Sequence, residues 1–166
     1  VGSGNIGATN ALRNLGNGIG VAVLFFDALK GLLPCLFFPS LLLDLFPEGS
    51  FPAEETLSLL VGFSAILGHN YTCWLGFKGG KGIATSAGVV GCLAPIPFAF
   101  CLGSWILIFV VTRYVFLASI VAAVSLPIAV VAWPQEEASR FGPIFWIFFC
   151  LGVMALWKHR SNIKRF

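Results

Sequence analysis

Charge is scarce in this chain. Asp, Glu, Lys and Arg make up 10% of its 166 residues, against about 25% in soluble domains. With 58% hydrophobic residues as well, an ordinary soluble domain is excluded. The net charge of +3 is too small for a nucleic-acid surface, and the basic residues stand at the ends of apolar runs, not in a patch interleaved with aromatics. No CxxC pair occurs among Cys35, Cys73, Cys92, Cys101 and Cys150. Most of them sit in apolar runs, the setting of buried thiols and not of disulfides or metal ligands. No metal and no organic cofactor are expected. No signal peptide is visible. The chain opens on Val1, directly at a glycine-rich motif, so a preceding N-terminal segment is expected to be missing.

What the chain has in abundance is apolar sequence. Runs over 19–46, 57–67, 83–111, 115–133 and 141–157 approach or exceed the roughly 20 residues needed to cross the hydrocarbon layer of a bilayer. They lack the alternation of barrel strands, and lipid tolerates no unpaired backbone, so the spacing predicts helices. The fold class is all-α: a polytopic transmembrane bundle of about six segments, embedded in a lipid bilayer. Residues 1–17 read as a loop leading into an interfacial helix around 8–15. In the first long run Asp27 and Lys30 share a helix face at i and i+3 and pair there, while Pro34 and Pro39 kink or end the helix. Pro95 and Pro97 divide 83–111 into two shorter segments.

The charges support that division. Tracing alternate crossings puts Arg13, Lys78, Lys81, Arg113, Lys158, Arg160, Lys164 and Arg165 on one side, and Glu48, Glu54, Glu55, Glu136, Glu137 and Arg140 on the other. By the positive-inside rule the first side is cytoplasmic. Lys81 and Arg113 return to the same face only if the run between them crosses twice.

Three polar clusters fall on that cytoplasmic side. The first, Gly2-Ser3-Gly4-Asn5-Ile6-Gly7, has the letters of a dinucleotide fingerprint but no strand before it and no βαβ pattern, which rules the dinucleotide reading out. A glycine loop remains, able to bring backbone N–H groups to an anion, with Ser3, Gly4, Asn5, Thr9, Asn10 and Arg13 around it. A loose chain end is the plainer reading. The second cluster joins Gly68-His69-Asn70-Tyr71 to Phe77-Lys78-Gly79-Gly80-Lys81-Gly82. It is not a P-loop, because Gly82 stands where Ser or Thr should follow the lysine. Its glycines nevertheless permit close approach, Lys78 and Lys81 bring charge, and a helix starts at about Gly82, so a phosphate cradle competes with a turn carrying two positive-inside lysines. The third, His159 to Arg165, is by composition a basic anchor against anionic headgroups, yet His159 and Asn162, at i and i+3, are not needed for anchoring. Together the clusters predict recognition of phosphate or another polyanion. Asp27 and Lys30, as intramembrane charges, are further candidates.

In order along the chain, GSGNIGATNALR, DALKG, GHNYTCWLGFKGGKGIATSAG, TRYVFLASI and HRSNIKRF resemble the bacterial acyl-phosphate:glycerol-3-phosphate acyltransferase family over essentially the whole length. The resemblance implies a single membrane-embedded acyltransferase domain over 1–166, with one more transmembrane helix before GSGN and about seven helices in the intact protein. It implies transfer of the acyl group of an acyl phosphate to the 1-hydroxyl of sn-glycerol 3-phosphate, giving lysophosphatidic acid and inorganic phosphate. This is the first step of phospholipid synthesis, placed at the bacterial inner membrane with the site facing the cytoplasm.

By the family's pattern Ser3, Arg13, Lys81, His159 and Asn162 hold glycerol 3-phosphate and orient its hydroxyl. Gly79, Gly80 and Gly82 cradle the phosphoryl group of the donor, with Ser119 assisting; His69, Lys78 and Arg160 complete the binding set. One departure is Phe116, in FLASI, where the family often has serine. Acyltransferases that use acyl-CoA or acyl carrier protein carry an H-x-x-x-x-D pair; here Trp74 follows His69 at that spacing and Lys164 follows His159, against that mechanism. The competing class is a membrane carrier for small phosphorylated anions. It calls for inverted repeats with paired broken helices, and no second copy of the glycine motifs is found. A structural membrane subunit leaves all three clusters unexplained.

Overall fold

The computed structural model describes residues 2–133 and 141–166, whose regular structure is all helical, with no strand among them. Glu136, Glu137 and Arg140 lie outside the described residues. The chain forms two compact units, Val1–Leu93 and Ala94–Phe166.

In the first unit, α1 (Ala8–Leu15) turns at Gly16 into α2 (Asn17–Leu45), and α3 (Glu54–Asn70) follows. A short turn of 3-10 helix, Cys73–Leu75, and a glycine loop lead to α4 (Ile83–Leu93). Helix α2 does not end at its prolines; it continues through Pro34 and Pro39. Each proline removes one N–H, but in apolar surroundings a helix is the only state that satisfies the remaining backbone groups. Small residues set the packing, as expected where lipid is no worse a solvent than a neighbouring helix. A Cβ on Gly31 would run into the carbonyl oxygen of Thr85, and one on Gly88 into that of Ala28, so α2 and α4 touch backbone to backbone. At Gly62 of α3 a Cβ would meet Val89 Cγ1 at 2.6 Å and Cys35 Sγ at 2.8 Å, which marks the point where α2, α3 and α4 converge. At Gly20 it would lie 2.6 Å from Leu12 Cβ, so α1 folds back onto the start of α2.

The second unit is α5 (Pro95–Thr112), α6 (Val115–Ala132) and α7 (Pro143–Ile163). The break expected at Pro95 and Pro97 is present: α4 stops at Leu93 and α5 opens with Pro95 at its first position, where a missing N–H costs nothing. Serines join α5 to α6. Trp105 Nε1 donates to Ser119 Oγ at 3.2 Å, and Ser125 Oγ lies 3.5 Å from Ser104 Oγ. Gly152 lets α7 approach the Ala123 carbonyl. Helix α7 does not stop where the apolar run stops, at 157, but continues through the basic stretch to Ile163. Cations are favoured at a helix C-terminus, so the basic residues do not end the helix.

Among the described residues three helices, α2, α5 and α6, are long and apolar enough to cross a membrane. Large apolar side chains such as Phe25, Phe26, Phe37, Leu107 and Val111 are exposed, the pattern of helices apolar all round and solvated by lipid. Helix α4 has 11 residues, on the order of 16 Å of helix.

Candidate active site

The N-terminal loop is organised by one side chain. Asn10, on α1, accepts from both the N–H and the hydroxyl of Ser3, each at 3.1 Å, and its own Nδ2 donates to Asn5 O at 2.8 Å. Asn5 Oδ1 in turn takes the Gly7 N–H at 2.9 Å, and Asn14 Nδ2 donates to Asn10 Oδ1 at 3.0 Å. Gly2 and Gly4 occupy the left-handed region at φ 60° and 70°, which an L side chain adopts only with strain. Ser3, Thr9 and Arg13 are exposed. The loop is therefore a formed structure held by its own hydrogen bonds, with Ser3, Thr9 and Arg13 at its surface, not a loose end.

The second cluster is moulded on the end of α3. The Gly80 N–H donates to His69 O at 3.1 Å and the Gly79 N–H to Asn70 O at 3.3 Å. A Cβ on Gly79 would run into His69 O, one on Gly80 into His69 Nε2, and one on Gly82 would lie 2.7 Å from Asn70 Oδ1. Glycine is demanded here first by α3 and only then by any ligand. The N–H groups of Gly79 and Gly80 point inward to α3; the first-turn N–H groups of α4 have no acceptor within their own helix, and Lys78 and Lys81 stand in the loop just before it. Lys78 is exposed, while Gly80 and Gly82 are buried.

Helix α2 runs beside this loop. Its Asp27 pairs with Lys30 at 3.0 Å, as the spacing predicts, and also stands 3.6 Å from His69 Nδ1. That second contact was not legible in the sequence, where neither histidine has an aspartate at the H-x-x-x-x-D spacing. Asn70, named within the second cluster, is fully buried against Gly82, a packing role that the sequence did not show. The available signal was two adjacent polar residues in the last turn of an apolar helix.

In the second unit, His159 is 3% exposed and its Nδ1 lies 2.8 Å from Ala155 O. A carbonyl only accepts, so Nδ1 carries the hydrogen and Nε2 the lone pair of the neutral ring. Asn162 follows one turn later on the same face of α7. Arg160 is held on Trp157, its Nη1 donating to the Trp157 carbonyl at 3.0 Å and its guanidinium 4.4 Å over the ring. Ser119 is buried, donates its proton to Val115 O at 2.8 Å and accepts from Trp105. Phe116 stacks edge-on with Tyr114 and Phe166, so this aromatic ties the start of α6 to the residues after α7.

The long apolar helices mark an integral membrane protein, and the solved structures it resembles place it in the acyltransferase class. It matches the crystal structure of PlsY (YgiH), an integral membrane glycerol 3-phosphate acyltransferase in its glycerol 3-phosphate form. The TM-score is 0.81 at 37% identity, covering 99% of this chain and 76% of that one. The lysophosphatidic acid form of PlsY matches with a TM-score of 0.80 at 36% identity, over the same shares of the two chains. The particular family is shown by a match over residues 1–166: the chain belongs to the glycerol-3-phosphate acyltransferase family. Relatives of that name include the Shouchella clausii protein, 42% identical over 99% of this chain and 75% of its own length. The Aquifex aeolicus protein is 38% identical over 99% and 79%.

Proposed function

We propose that this glycerol-3-phosphate acyltransferase takes its acyl group from an acyl phosphate and delivers it to the 1-hydroxyl of sn-glycerol 3-phosphate, releasing lysophosphatidic acid and inorganic phosphate. The observation that carries the donor assignment is the 77–82 loop, pressed onto α3 and running into the N-terminus of α4 with Lys78 and Lys81 beside it. Such a terminus with two cations suits a phosphoryl group. The glycerol 3-phosphate and lysophosphatidic acid forms of PlsY support the acceptor and the product. In the reaction the acceptor hydroxyl oxygen attacks the acyl carbon, the bond from that carbon to the phosphate oxygen breaks, and the hydroxyl proton departs. A mixed anhydride is already activated, so positioning and stabilisation of the developing oxyanion and the leaving phosphate carry the catalysis.

Ser3, Arg13, Lys81, His159 and Asn162 are assigned to hold glycerol 3-phosphate, with His159 Nε2 the acceptor for the hydroxyl proton. Gly4, Asn5, Thr9 and Asn10 shape the loop that presents Ser3. The chain acts as one acyltransferase domain, multi-pass in the bacterial inner membrane, with its site on the cytoplasmic face that the positive-inside rule selects.

The direct test offers the protein palmitoyl phosphate or palmitoyl-CoA together with glycerol 3-phosphate and follows lysophosphatidic acid. Product from the phosphate alone supports the donor; product from the thioester alone refutes it. Two variants test the residues. Gly80→Ala is expected to raise the KM for acyl phosphate about tenfold, because the loop must shift off His69 by a fraction of an ångström or more. Ser3→Ala is expected to lose transfer while the protein keeps its melting temperature, since the Ser3 hydroxyl is exposed and the Ser3 N–H still reaches Asn10; full activity in this variant would remove Ser3 from the site.

A further inference from the structure

The geometry points to Asp27 as a positioning residue for the donor loop, acting through His69. Asp27 is a carboxylate in the middle of α2, a 29-residue helix otherwise almost free of charge, and it is 4% exposed. Its Oδ1 meets two partners, the Lys30 ammonium at 3.0 Å and His69 Nδ1 at 3.6 Å. The Lys30 side chain is 59% exposed and reaches outward, whereas the His69 side chain is 6% exposed and enclosed with Asp27. An Asp27 there only to balance Lys30 would have no need of a buried imidazole on its other side.

The opposite edge of the same ring carries the consequence. His69 Nε2 is the atom that a Cβ on Gly80 would strike, so the imidazole is the floor on which Gly80 lies, and the His69 carbonyl takes the Gly80 N–H at 3.1 Å. An imidazole turns about its bond to Cβ unless one edge is fixed. The Asp27 carboxylate, 3.6 Å from the Nδ1 edge, favours one orientation of the ring electrostatically, and that orientation sets the height of the Nε2 edge under Gly80 and hence how residues 79–81 approach the phosphoryl group. With its Nε2 edge against Gly80, His69 is not placed as the base of a His–Asp dyad; the pair shapes the loop and exchanges no proton with substrate. This inference rests on the assignment of the loop to the acyl donor.

The test is a set of steady-state measurements on Asp27→Asn, His69→Gln, the double variant and Gly80→Ala. Asp27→Asn keeps the volume but weakens the hold on His69. It is expected to raise the donor KM about tenfold, with the KM for glycerol 3-phosphate and the melting temperature near the parent values. In the His69→Gln background the same substitution is expected to add nothing, because both changes act through one ring. Multiplying effects in the double variant, or an unchanged donor KM in Asp27→Asn, would overturn the inference. Should Asp27→Asn not fold, Asp27→Ser carries the same comparison; failure of both assigns Asp27 to the packing of α2 and overturns it too. Gly80→Ala is the reference. An unchanged donor KM there removes the loop itself from donor binding and overturns both readings, whereas a rise there without one in Asp27→Asn removes only Asp27.

Discussion

His159→Ala is expected to lose about a thousandfold in acyl transfer, roughly 4 kcal/mol of transition-state stabilisation, while remaining folded. The size follows from the position of the ring. His159 is buried on α7 and its Nδ1–H is committed to Ala155 O, so one tautomer is held and Nε2 is the basic nitrogen. Folding should survive. The bond to Ala155 O that the substitution removes is neutral and worth about 1 kcal/mol; it lies in the next-to-last turn of α7, and alanine is the best helix former. The kinetic constants separate two roles. A fall in kcat with the glycerol 3-phosphate KM preserved identifies the proton acceptor; a raised KM at preserved kcat identifies a ligand only. Parent-like activity would take His159 out of the site.

The second large effect is on stability. Gly31→Ala and Gly88→Ala are each expected to destabilise the protein by about 2–3 kcal/mol, a drop on the order of 10 °C in melting temperature in detergent. In both cases the added Cβ meets a backbone carbonyl, Thr85 O or Ala28 O, which no rotamer change can move aside. Helices α2 and α4 would have to separate, and with them the first turn of α4 and the loop before it. Gly103→Ala is the control. It lies within α5 with nothing inside 4 Å of its Cβ position, so the better helix propensity of alanine should leave stability unchanged or raised by up to about 1 kcal/mol. Equal losses at all three positions would mean that glycine is needed for something other than helix approach.

Much of the helical fold follows from local rules. A chain with 10% charge and long apolar runs has one way to satisfy its backbone in lipid, and it is helical. Pro95 is at once an excellent first residue and a poor interior one, so the break after Leu93 needs no knowledge of neighbours. The Asp27–Lys30 pair is likewise local, fixed by helical spacing. Where local rules pulled two ways, context prevailed. Pro34 and Pro39 carry the same chemistry as Pro95 but lie inside α2, and the basic residues after 157 that end an apolar run do not end α7.

The candidate site divides along the same line. Its residue types, glycines beside lysines and a histidine one turn before an asparagine, could be read in order along the chain, because phosphate recognition uses a short list of groups. What each glycine touches could not. That Gly79 and Gly80 give their N–H groups back to α3 depends on the fold of the loop between them, and that Gly31 and Gly88 admit a backbone and Asp27 reaches His69 are contacts between residues far apart in sequence. Spacing sets which residues share a face of one helix; which helix meets that face, and at what height, is fixed by the packing of all of them together.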